Sequence, residues 1–170
     1  MKKSSMGIII VIALIVIVGL MLVSSYNSIV AKSEEVDNKY ATIDTYLQRR
    51  ADLIPNLVNT VKGYTKQEQD IINSITEARA KMVGTTSVSE KAEANDELTS
   101  ALSKLMVVVE NYPDLKSSQN FIQLSDELSG TENRIATARK DYNDAVKEYN
   151  LKIKKFPAGI IANMLSLIHI

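Results

Sequence analysis

Nine polar residues stand beside apolar positions where charge and hydrogen-bonding capacity are costly to hide. Arg49, Arg50, Asp52 and Asn56 surround Pro55, and Glu132, Asn133, Arg139, Asn143 and Asn150 follow a later helical pattern. Asn143 and Asn150 are one heptad apart and adjoin Tyr142 and Tyr149. Guanidinium, carboxylate and carboxamide groups in such places have two uses. They form a paired polar layer that fixes helix register, as a buried polar residue does in a coiled coil, or they form a recognition surface for a partner. Charge reversal at Arg50 separates the two, because a register role predicts lost folding and a docking role an intact body.

Bond-making chemistry has fewer candidates. Glu34, Glu35, Asp70 and Glu132 are interleaved with lysines, as on solvated helix faces. The enzymatic alternative is a carboxylate-based hydrolase using Glu132 and Asp141. The chain has no cysteine and one histidine, His169, which excludes thiolate zinc sites, Cys/His dyads and Ser-His-Asp triads built on any other histidine. Neither G-x-x-x-x-G-K-[ST] nor G-x-G-x-x-G occurs, and a di-iron bundle would need Glu-x-x-His pairs that are absent. No catalytic residue, metal ligand or cofactor-binding residue is therefore assigned, and the expectation is a protein that is not an enzyme and carries no cofactor. His169 lies in the terminal LSLIHI, Leu165 to Ile170. That string is the in-frame translation of the sequencing-library transposase adapter CTGTCTCTTATACACATC, so residues 165–170 are expected to be an adapter artefact and the true C-terminus to be lost. The underlying codons test this.

The elements that must position the polar residues are legible as periodicity. Val36, Tyr40, Ile43, Leu47, Ala51, Ile54, Val58 and Val61 recur every three or four residues, the pattern of a helix burying one stripe. Pro55 predicts a kink or restart near Asp52–Asn56. Gly63 offers a C-terminal cap, and Thr65 with Glu68 a capping box for a second helix carrying Ile71, Ile72, Ile75, Ala78 and Met82 and stopping at Gly84. Ser87 with Glu90 makes another box ahead of Leu98, Leu102, Leu105, Val109 and Tyr112, with Pro113 ending that third helix. A short connection leads to the fourth and longest pattern, Phe121 to Phe156, in which Gly130 is the weak point at about 1 kcal/mol against alanine. No stretch alternates with period two. The expected fold is all-α: one N-terminal transmembrane helix followed by an antiparallel four-helix bundle with long first and last helices.

The transmembrane assignment rests on Met6 to Val23, MGIIIVIALIVIVGLMLV, which has no charge, amide or hydroxyl. As a helix it is about 27 Å long, close to a hydrocarbon core of about 30 Å, and Ser24, Ser25 and Tyr26 complete the crossing. A cleaved signal peptide would have a shorter apolar run and an A-x-A-like site, and a buried core helix would need an equally apolar partner segment. Neither is present. Four segments follow: 1–25 as the anchor, 26–156 as the helical body, 157–164 as a tail and 165–170 as the adapter-like end. The 20 basic and 20 acidic residues cancel, so no basic face argues for nucleic acid. Lys2 and Lys3 before the anchor tie with Lys32 and Lys39 after it, and the start amine tips the body to the extracytoplasmic side. Lys152, Lys154 and Lys155, followed by Phe156, Ile160 and Ile161, either meet lipid headgroups or cap the end of the bundle. The lipid bilayer is thus the first expected partner, and the oligomeric state is open.

Four longer strings carry a resemblance: RRADLIPNLVNTVKGY from Arg49, ENYPDLKSSQNFIQL from Glu110, TENRIATARKDYNDAVKEYN from Thr131 and FPAGIIANM from Phe156. In this order they resemble the LemA family of bacterial membrane proteins, over nearly the whole chain. The resemblance implies a single-pass protein of the bacterial cytoplasmic membrane with a helical bundle and no established catalytic activity. It also implies other membrane proteins as partners, among them a membrane-bound heat-shock metalloprotease, and a place in envelope or membrane-protein quality control. Three positions depart from the family pattern: Gln67, where many relatives have histidine, Gly130, where a helix former is usual, and the adapter-like tail.

Overall fold

The computed structural model describes residues 2–65 and 67–164, and all of its regular structure is helical; no strand occurs among the described residues. The adapter-like tail with His169 lies outside the described residues, as do the side chains of residues 2–6. Helix α1 is Lys2–Lys62, α2 Gln69–Gly84, α3 Val88–Val109, α4 Pro113–Lys116, α5 Gln119–Lys154 and α6 Ala158–Met164. The chain divides into two compact units, with boundaries inside α1 after Ala41 and inside α5 before Arg139.

In the unit Thr42–Ala138 the stripe the periodicity marks is buried: Ile43, Leu47, Ala51, Ile54, Val58 and Val61 of α1, together with Ile72, Ile75, Ala78 and Met82 of α2 and Leu98, Leu105 and Val109 of α3. Phe121, Leu128 and Ile135 of α5 complete it. Leu57, Ala94 and Ala101 are buried as well. α1 runs through Pro55 without the restart that was one of the two expected outcomes. Proline removes the N–H that would bond the carbonyl four residues back, here Ala51 O, and Arg79 Nε of α2 donates to that oxygen at 2.8 Å instead. The orphaned acceptor lies in the core, since Ala51 is fully buried, and a buried carbonyl needs a partner.

The two capping boxes diverge. Ser87 caps α3 by accepting from Glu90 N at 3.4 Å, but the Glu90 carboxylate takes the Thr85 hydroxyl rather than reaching back. At α2 no side-chain cap forms. Thr65 Oγ1 accepts from Gln67 N at 3.2 Å and donates to Tyr112 Oη at 3.1 Å, while Tyr112 Oη donates to Glu68 Oε1 at 3.0 Å. Tyr112 has captured both box residues, tying the α1–α2 connection to the α3–α4 connection. Gly63 follows α1 as expected, without a positive φ. Pro113 opens α4, whose Leu115 is buried, instead of merely ending α3. Gly130 does not interrupt α5.

The other unit packs Ile29 and Val36 of α1 with Ala145, Tyr149 and Ile153 of α5 and Ala158, Ile161 and Ala162 of α6. The Tyr40 and Tyr142 rings meet at 6.1 Å, tilted by 58°. Phe156 closes the periodic pattern in sequence but is 81% exposed. Upstream, every residue of α1 from Gly7 to Ser24 is exposed, and this run is long and apolar enough to cross a membrane. An amphipathic helix hides one stripe; here every face is bare, so none of this segment is core of the described fold.

Candidate functional site

Arg50 is the centre of the strongest polar constellation. Its position on the seam of α1, between Leu47 and Ile54, leaves the residue 3% exposed. A guanidinium cannot shed its charge, so burial requires acceptors from neighbouring elements. Nη1 donates to Asn95 Oδ1 and, at 3.0 Å, to Thr99 Oγ1, both on α3. It also lies 2.5 Å from Glu132 Oε2 of α5. That contact is an ion pair by distance, while Oε2 accepts no aligned hydrogen bond among the described residues. Asn95 is fully buried, and its Nδ2 has no hydrogen-bond partner among the described residues. Beside this layer opens a cleft of about 290 Å³, walled by Leu57, Leu102, Met106 and Leu128 with Arg50 and Glu132 at its polar edge.

The remaining predicted residues do not join this layer. Arg49 is exposed and 3.8 Å from Glu127. Asp52 is exposed and accepts from Gln48 Nε2 at 3.0 Å. Asn56 is exposed, its carbonyl taken by the Thr60 hydroxyl at 2.9 Å. Asn133 is exposed at the cleft rim. Arg139, half-buried, Asn143, exposed, and Asn150, half-buried, belong to the other unit. So does Asp141, which meets Lys39 at 3.5 Å, whereas Glu132 meets Arg50. Of the nine, Arg50 and Glu132 are brought together as an ion pair.

Asn95, Thr99 and Arg79 were missed. Asn95 had a signal: it lies three residues before Leu98, extending the 3–4 spacing of Leu98, Leu102, Leu105 and Val109 upstream by one seam position. Arg79 had one only through Pro55, whose lost donor implies a replacement from outside the helix.

Most charge pairs outside this layer are solvent-facing among the described residues, Asp44–Lys91 being partly buried. Lys32 Nζ lies between Glu148, at 2.5 Å, and Glu35, at 2.7 Å. Its hydrogen bond to Glu148 above all, then that to Glu35, pushes the ammonium up to about 12, and the same bond to Lys32 holds the Glu148 carboxyl below its ordinary value. Glu97 likewise raises Lys81.

These features define an all-α protein in which the apolar start of α1 fits a membrane anchor and α1, α3 and α5 supply a buried arginine layer. The chain belongs to the LemA family, whose pattern matches residues 39–169. It is similar to the magnetosome protein MamQ 2 of Paramagnetospirillum magneticum, 28% identical over 167 residues, covering 83% of this chain and 61% of that one. It is similar also to Protein LemA of Metamycoplasma hominis, 28% identical over 148 residues, covering 85% of this chain and 66% of that one. For the magnetosome protein MamQ of Magnetospirillum gryphiswaldense the identity is 25% over 167 residues, with 83% and 61% covered. The chain thus spans about three-fifths of the length of the MamQ relatives it matches.

Proposed function

We propose that the protein is a single-pass scaffold of the bacterial cytoplasmic membrane, seated by the start of α1 and presenting an antiparallel four-helix bundle to other membrane proteins. The observation that carries this reading is the run Gly7–Ser24, exposed on every side and joined without interruption to the seam of α1 in one helix. The pairings support a bundle. Lys32–Glu148 and Lys39–Asp141 step by seven residues in opposite directions along α1 and α5, as antiparallel neighbours do. Asp44–Lys91 and Arg50–Asn95 ascend together along α1 and α3, as alternate helices of an up-down bundle do. The closeness of Lys2 and Lys3 to the apolar run supports an extracytoplasmic body.

In this reading the work is contact, without catalysis. Arg50 and Glu132 hold register inside, while Arg49, Asp52 and Asn56 form the docking face. The partners are membrane proteins under quality control, a membrane metalloprotease being the one the LemA resemblance implies. Pull-down from detergent extract with the native chain and with the Arg49→Glu/Asp52→Lys variant tests the docking face. Loss of specific partners in the variant is expected; identical partner sets from a folded variant contradict it.

A further inference from the structure

The segment after α5 splits its apolar residues between two environments. Ala158, Ile161 and Ala162 are buried against Ile29, Tyr149 and Ile153, while Phe156 and Ile160 are 81% and 53% exposed. Phe156, Ile160 and Lys154 line one shallow cleft of about 390 Å³. From Tyr149 to Met164 the chain carries Lys152, Lys154 and Lys155 and no acidic residue. Exposed aromatic and aliphatic groups among uncompensated lysines are what an anionic lipid interface binds. Position supplies the second argument. The packing against Ile29 fixes this segment beside α1 six residues beyond Val23, about 9 Å along the helix, and the headgroup layer adds roughly 5–8 Å to each side of the hydrocarbon core. Tyr26, 46% exposed, lies at the same end, where membrane helices place aromatic belts.

We infer that Phe156 and Ile160, flanked by Lys152, Lys154 and Lys155, form a second membrane contact that rests in the headgroup layer of an anionic bilayer. This rests on the anchor reading above and adds a foot beside the anchor: the apolar pair enters the interface and the ammonium groups meet lipid phosphates. The occupant is lipid because the nearest surface at this height is the bilayer that receives α1, and because the charge is of one sign.

The chain has no tryptophan, so Phe156→Trp gives a single reporter, with Ile160→Trp as a second and Phe121→Trp, in the core, as a control. Full-length variants are reconstituted into phosphatidylcholine vesicles with and without phosphatidylglycerol, using lipids brominated near the headgroup as quenchers. The expected result is blue-shifted emission at positions 156 and 160, quenched by brominated lipid more strongly with phosphatidylglycerol, and an unquenched signal at 121. Lys154→Glu/Lys155→Glu removes the phosphatidylglycerol dependence. Failure of the chain to float with vesicles overturns the anchor reading itself. Flotation with red-shifted, unquenched emission at both positions overturns only the second contact. Blue-shifted but unquenched emission also overturns it, by showing that protein, such as a second copy, covers the face.

Discussion

Arg50 places a permanent charge at an almost wholly buried position, and its value depends on keeping every acceptor. Removing one partner of a buried charge pair costs about 3–5 kcal/mol. Glu132 keeps a third of its side-chain exposure, so Arg50→Met is expected to cost toward the lower end, about 3 kcal/mol. Arg49→Met should change stability by no more than about 0.5 kcal/mol, because its pair is long and solvated. Urea unfolding of the detergent-solubilised chain, followed by circular dichroism, measures both; equal effects would refute a buried layer. Arg79 acts through the backbone. Arg79→Met leaves the Ala51 carbonyl unpaired at a cost of about 1–2 kcal/mol. In a Pro55→Ala background residue 55 regains its N–H, and the same substitution should cost close to nothing. A double-mutant cycle reads this coupling, and additive effects would show that Arg79 does not replace the missing donor.

At the scale of elements, helix content and core stripes were legible because apolar spacing is local information. The 3–4 pattern places Val36, Ile54, Leu98 and Ile135 in the core, and all four are buried. What failed had a partner distant in sequence. The Thr65/Glu68 box meets a competing hydroxyl 44 residues beyond Glu68, and the carbonyl that Pro55 leaves without its helical donor is taken by a guanidinium 28 residues beyond Ala51. Phe156 kept helical spacing past the end of α5, which left open whether it met lipid or capped the bundle, and it is exposed. The site was half legible: Arg50 and Glu132 stood out by type and place, but which polar neighbours turn inward is decided by packing. Gly130 shows the reverse case. It is exposed, and a Cβ there would meet nothing within 4 Å. Packing does not require the glycine, so Gly130→Ala should stabilise by about 1 kcal/mol through helix propensity and a stiffer unfolded chain. A lowered urea midpoint for that variant would mean that α5 needs freedom at this turn.

For the molecule as a whole, solution conditions should act mainly through surface pairs, since the buried arginine does not titrate. Glu148 is held below its ordinary value of 4.5, so the stability it contributes is present above that value and lost as pH falls through the lowered one. Lys32 is raised to about 12, so its contribution is present below 10.5 and lost as pH rises through about 12. The effect of Glu148→Gln on melting temperature is therefore expected to be flat between about pH 5 and 10, to shrink in stronger acid and to diminish in about 1 M salt. A penalty that grows on acidification would contradict the pairing. All of these contacts matter to function only if the bare start of α1 holds the chain in lipid. The direct measurement is alkaline carbonate extraction of membranes from cells making the full chain or a variant lacking residues 7–23. The full chain is expected to stay with the sedimented membranes and the shortened one to leave them; release of the intact full chain into the carbonate supernatant would contradict the account.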